Sequence, residues 1–223
     1  MKALKALFVF SLVLSWSGSA LAQDPVKVDP THYKVILENA SVRVLKIDYA
    51  PGSKSVMHQH PDAIVVPLTA SKVQFSMADG KSETQELPVD GALYTPAGTH
   101  SPANIGSTRV DAILVEFKGA APGKATIPTS RDGLTMKPLA EGPRATATRT
   151  TVGPKFTEPA GTKHDYDQVI TALQPGQVSL SIDGKPAKTT WARGDVQFIG
   201  RGTGHETNNT GGKPVDLVIV AIK

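Results

Sequence analysis

The 223 residues, 20% charged and only 5% aromatic, are enough for two small domains or one large one, and 20 glycines with 17 prolines suit a turn-rich all-β chain better than a helical one. Lys2 and Lys5 supply half of the formal charge of +4, and no run of Lys or Arg interleaves with aromatics, so nucleic-acid binding has no support. The absence of cysteine excludes disulfides, thiolate metal sites and a lipid-bearing cysteine.

Residues 1–22 read as a signal peptide. Lys2 and Lys5 form a basic start, Ala6 to Trp16 an apolar run too short to span a bilayer, and Ala20-Leu21-Ala22 a small-x-small cleavage site. The expected product begins near Gln23, is periplasmic or secreted, and has no membrane anchor in its mature form. From Val26 to Ile47 the pattern predicts strands broken by a turn at Glu38-Asn39-Ala40, ended by Pro51-Gly52. His32 lies in this arm with no partner at ligand spacing and reads as a packing or surface histidine. Further strands are expected over Ile64 to Leu68, Val73 to Met77 and Val110 to Phe117, with a hairpin turn at Asp79-Gly80. Residues 119–144, punctuated by Pro122, Pro128, Gly133, Pro138 and Gly142-Pro143, read as an inter-lobe connection, after which a strand begins near Ala145.

The remainder repeats the first half. Asp79-Gly80-Lys81 recurs as Asp183-Gly184-Lys185, an offset of 104, and His100, Asn104, Gly106 and Val110-Asp111 recur as His205, Asn209, Gly211 and Val215-Asp216, an offset of 105. Two units with matching turns predict two copies of one barrel: a first lobe over 23–118 and a second over 145–223.

Within the first unit, Gly52 is followed by His58 and His60, then by Gly91, Pro96, Gly98, His100 and Asn104. Strand side chains alternate faces, so His58 and His60 point to one side and can bind one ion, with His100 arriving from a later hairpin. This pattern resembles the two motifs of the cupin superfamily, with spacing one residue short before Pro96 and before His100. The resemblance covers nearly the whole mature chain as a bicupin and implies two tandem jelly-roll (double-stranded β-helix) barrels. Where the family has a glutamate four residues after the second histidine, this chain has Ile64, so the resemblance is to quercetin dioxygenase-like cupins with a three-histidine site. The metal ligands implied are His58, His60 and His100. Asp62 and Asn104 stand beside them as candidate hydrogen-bond partners of the site.

Mapped back by 104 residues, His60 corresponds to His164, Ile64 to Gln168 and His58 to Thr162. The second lobe thus has one imidazole fewer, and His164, Gln168 and His205 form its candidate polar pocket. Asp165, Asp167 and Glu206, next to these histidines, read as ordinary loop residues. Three neutral imidazoles leave the charge of a divalent ion uncompensated, which favours an anionic substrate group, and Ile64 in the carboxylate slot is expected to make the pocket apolar. The cofactor implied is a divalent transition metal, Fe(II) foremost, with Mn, Ni, Zn or Cu as alternatives. The reading that follows is a dioxygenase acting on a small anionic or enolic organic molecule. Its rival is a non-catalytic periplasmic module that binds a small molecule or a metal. No catalytic acid or base stands out, and the oligomeric state is left open.

Overall fold

Strands from Tyr33 onward are buried on one or both faces according to the parity of their residues, and that parity sorts the molecule into three cores. The computed structural model describes residues 23–119 and 125–223; residues 1–22, the segment expected to be a signal peptide, lie outside the described residues. The chain enters through a four-residue helix, α1 (Pro25–Val28). Asp24 caps it by accepting from the Val26 N–H, and Pro25 sits in its first turn, where a missing N–H costs nothing. This helix corrects the expectation of strand from Val26.

The first lobe contains β1 (Tyr33–Glu38), β2 (Val42–Tyr49), β3 (His58–His60), β4 (Ala63–Pro67), β5 (Ser71–Met77), β6 (Ser82–Leu87), β7 (Leu93–Thr95), β8 (Gly98–Asn104) and β9 (Val110–Phe117). They form a five-stranded sheet, β1-β2-β9-β4-β7, and a four-stranded sheet, β3-β8-β5-β6, antiparallel throughout. The second lobe contains β10 (Leu134–Glu141), β11 (Ala145–Val152), β12 (Asp167–Ala172), β13 (Val178–Ile182), β14 (Lys185–Lys188), β15 (Val196–Ile199), β16 (His205–Asn209) and β17 (Val215–Ile222). Its five-stranded sheet, β10-β11-β17-β12-β15, repeats the first lobe's order strand for strand, and β14-β13-β16 repeats the smaller sheet without a counterpart of β3. The expected pair of jelly-roll barrels is what the chain builds. Asp183-Gly184 closes β13 and β14 with both residues at positive φ, 48° and 74°, the two-residue turn that matches strand twist.

The segment Leu134–Glu141, inside the stretch expected to be connection, is an edge strand on β11. Its Pro138 is tolerated because the register shifts between Pro138 and Ala140, at an edge with no further strand to receive an N–H.

On β9, Val110 and Leu114 face the first barrel's interior with Tyr33, Tyr49 and Val73, whereas Ile113, Val115 and Phe117 face outward from that barrel. On β17, Val215 and Leu217 face the second interior with Trp191, while Val218, Val220 and Ile222 point the other way. The two outward sets pack into one central core, where the five-stranded sheets lie face to face. Both sheets are thereby covered on both faces, which is why their strands read as continuous apolar runs. The β10–β11 turn also meets the first lobe closely: a Cβ on Gly142 would lie 2.2 Å from the Tyr94 ring, so only glycine fits there.

Candidate functional site

The first barrel encloses a cavity of about 360 Å³, and its three histidines line one end. Pairing of β3 with β8 sets His58 directly opposite His100 and His60 opposite Gly98. The His58 and His100 ring centroids are 5.2 Å apart and those of His60 and His100 4.8 Å. His58 Nδ1–H donates to the Val56 carbonyl at 2.9 Å and His60 Nδ1–H to the Pro61 carbonyl at 2.7 Å. A carbonyl can only accept, so in both rings the lone pair sits on Nε2, the orientation that metal-binding histidines need. Among the described residues no hydrogen bond reaches the His100 ring. Burial, with His60 and His58 nearby, pushes its pKa down to about 3, and burial lowers that of His58 as well. Both rings are therefore neutral at neutral pH.

One contact was not expected. Tyr49 Oη–H donates to Tyr33 Oη at 2.7 Å, and Tyr33 Oη–H donates on to His58 Nε2 at 3.2 Å. His32 stacks on Tyr49, ring centroids 4.3 Å apart, and its Nδ1 is 2.8 Å from both oxygens of buried Asp29. It is a packing histidine whose role is to hold this tyrosine pair. The nitrogens of His58, His60 and His100 do not all come within 4.8 Å of one another, whereas the ligand atoms of Glu158, His164 and His205 do.

Around the histidines the cavity is apolar, with Val65, Phe75, Met77, Leu93 and Leu114 among its walls. It reaches the surface beside β6, where exposed Glu83 and half-buried Gln85 line it. The apolar character does not come from Ile64. Alternation on β4 sends Ala63 and Val65 to the barrel interior and Ile64 to the central core, so the expectation that Ile64 fills a slot in the pocket is corrected. A buried carboxylate that the motif reading missed lies behind His60. Glu116, 1% exposed, takes Arg43 on Oε2 at 2.5 Å and leaves Oε1 without a partner, and burial raises its pKa against the pull of Arg43.

Asp62 and Asn104 do structural work instead of facing an imidazole. Asp62 Oδ1 accepts the Ala97 N–H at 2.7 Å, tying down the turn ahead of β8, and Asp167 does the same for the Arg201 N–H at 2.7 Å in the second lobe. Asn104 Nδ2 donates to the carbonyls of Tyr49 and Thr108 while Oδ1 accepts from Gly106. Asn209 repeats all three bonds with Val152, Lys213 and Gly211. An Asn104→Ala variant is thus expected to lose about 2–3 kcal/mol of stability, read by urea denaturation, with its metal content unchanged, because three buried backbone groups lose their partner.

In the second lobe His164 and His205 face each other with centroids 4.9 Å apart, and His164 stacks on Tyr166. Burial lowers the His164 pKa, with His205 adding to the effect. Gln168 does line this lobe's pocket, of about 50 Å³, but its partner in the first lobe is Ala63 and not Ile64. Gln168 pairs with Ala221 and Ala63 with Glu116, positions 105 residues apart. Of the residues read as ordinary loop, Asp165 accepts the Thr126 N–H and Glu206 the Asn208 amide. Glu158, 3% exposed, joins the two histidines with no forewarning from either motif.

No protein-family model matches the sequence, and no curated protein matches it. Solved structures do. AerE from Microcystis aeruginosa superposes with a TM-score of 0.65 at 14% identity, over 86% of this chain and 97% of that one. A cupin 2 conserved barrel domain protein from Leptotrichia buccalis gives 0.56 at 13% identity, over 86% and 88%. An oxalate decarboxylase from Lactobacillus farciminis, in a formate complex, gives 0.59 at 13% identity, over 82% and 77%. The chain is folded as a bicupin. At these identities the likeness extends to the fold alone, so the chemistry of this bicupin has to be argued from its own side chains: three imidazoles at one end of an apolar cavity, and a Glu-His-His cluster whose His164 lines a much smaller pocket.

Proposed function

We propose that this bicupin is an exported metalloprotein whose first lobe binds a small anionic or enolic organic molecule beside a divalent transition metal, Fe(II) foremost, and oxidises it as a dioxygenase. Export rests on the signal-peptide pattern of residues 1–22. The observation that supports the site is that His58, His60 and His100 line one 360 Å³ apolar cavity, the first two with ring centroids 5.2 and 4.8 Å from that of His100 and with Nε2 lone pairs set by carbonyl-bonded Nδ1. When bound there, the ion supplies a Lewis-acidic, redox-active centre of uncompensated positive charge. The chain's own residues do the rest. Val65, Phe75 and Leu93 exclude water from the substrate's apolar part, and Tyr33, once released from His58, offers a hydroxyl to an anionic oxygen.

Metal analysis of protein exported from metal-replete medium tests the reading. A first-lobe ion is expected in the wild type and absent from His58→Ala and His60→Ala, accompanied by oxygen uptake with phenolic or diketone substrates. Wild-type protein that carries no metal, with a His58→Ala variant indistinguishable from it, would end the reading. The hydrogen bond from Tyr33 to His58 Nε2 favours a second one, a binding module in which the histidines are polar wall and not ligands. Tight ligand binding by calorimetry without oxygen uptake across the panel selects it.

A further inference from the structure

We propose that the second lobe holds a metal site of its own, formed by Glu158, His164 and His205, with a water or a carboxylate-sized oxyanion completing the ion's coordination. The site is independent of the first-lobe reading and uses a residue outside both histidine motifs.

The backbone explains how the carboxylate gets there. In the first lobe the Ser55 N–H donates to the Pro102 carbonyl, and in the second the Glu158 N–H donates to the Thr207 carbonyl, 105 residues after Pro102. Glu158 therefore occupies the station of Ser55, on the extended arm that runs beside the later histidine strand. A few residues on, the lone bridge between Thr162 and His205 stands where His58 pairs with His100. The second lobe has lost an imidazole on one rung and gained a carboxylate on the neighbouring arm.

The geometry is close. One ligand atom from each of Glu158, His164 and His205 lies within 4.8 Å of the other two, and Glu158 Oε2 is 3.6 Å from His205 Nε2. Glu158 and His205 are 3% and 4% exposed. Arg131 reaches in from the inter-lobe arm to Oε1 at 2.5 Å. It offsets the cost of burying the carboxylate and leaves Oε2 turned to the imidazoles.

A second observation points to a ligand. The adjoining pocket, walled by Thr150, His164, Tyr166, Gln168 and Arg131, leaves Gln168 Nε2 and Thr150 Oγ1 without hydrogen-bond partners among the described residues. Both residues are nearly fully buried, 5% and 1% exposed. An unpaired buried polar group is costly, so two of them facing one small space call for something polar in it. At about 10–15 Å³ per water, the pocket of about 50 Å³ admits about three to five waters or one small carboxylate. Two imidazoles and one carboxylate with open positions are a donor set that suits Fe(II), and Zn(II) as well. Its anionic ligand also halves the charge that three neutral imidazoles would leave on a divalent ion.

The test is a Co(II) titration of the chelator-stripped full chain, read by visible absorption and calorimetry. Wild type is expected to show a binding event that Glu158→Gln and His164→Ala each weaken by about 100-fold or more, while His60→Ala leaves it in place. Glu158→Gln keeps the side-chain shape, and should it fail to fold, His164→Ala at its half-exposed position carries the test, with near-ultraviolet circular dichroism confirming the fold. Titrations of both variants that overlay the wild type would overturn the proposal, as would a His60→Ala variant that binds no Co(II) at all. Loss of a separate event in His60→Ala alone bears only on the first-lobe reading.

Discussion

Replacing Phe117 with alanine is expected to lower stability by about 3–5 kcal/mol and to melt both lobes together, with a fall in Tm of about 10 °C. Phe117 is 1% exposed and belongs to the central core, not to the interior of the barrel that contributes it. Its ring lies under the Arg144 guanidinium, 5.6 Å from the centroid, and Arg144 donates to the carbonyls of Phe117 and Lys118. Truncation would open a void between sheets that both lobes need covered, in the same core that buries Val218, Val220 and Ile222 of the second lobe. Calorimetry checks this. One shifted transition supports a shared core, whereas a wild-type-like transition persisting beside an early one would mean that the second lobe stands alone.

Much of this architecture is legible in the sequence because its signals are local. The Asp-Gly turns demand positive φ, the β-branched runs from Val110 to Phe117 and Val215 to Ile222 become the middle strands of their sheets, and the repeated Asn-x-Gly of Asn104 and Asn209 builds the same turn twice. What escaped was set by registers that a constant offset cannot follow. The second lobe has one more residue between His164 and Asp167 than the first has between His60 and Asp62. Carrying 104 residues through that point therefore paired Ile64 with Gln168, whereas the ladders pair Ala63 with it. A one-residue slip in a strand exchanges core face for cavity face, so Ile64, assigned to the carboxylate slot by counting four residues from His60, lies in the central core. Glu158 lies where the offset has become 103, opposite a serine, so comparison of residue types finds nothing. Edge strand β10 escaped for a different reason: its alternation over Leu134-Thr135-Met136-Lys137 lasts only four residues before Pro138 interrupts it, too short to mark a half-buried strand against the surrounding turn residues.

Acidification supplies the second large effect, and its sign follows from His100. In metal-free protein the folded-state pKa is lowered from 6.5 to about 3, so the native state holds this ring neutral while the unfolded chain takes up a proton below pH 6.5. The contribution to stability is fully present above pH 6.5 and is lost progressively as pH falls toward about 3. It amounts to about 2 kcal/mol by pH 5 and about 5 kcal/mol over the whole window. The lowered pKa values of His58 and His164 act in the same direction. Urea midpoints of chelator-treated protein between pH 7.5 and 4 should therefore fall steeply below pH 6.5. A His100→Gln variant, with nothing to titrate at that position, should show a flatter profile. Equal slopes in the two proteins would mean that the half-buried imidazole is charged in the folded state, and a cationic ring between His58 and His60 would be no place for a metal ion.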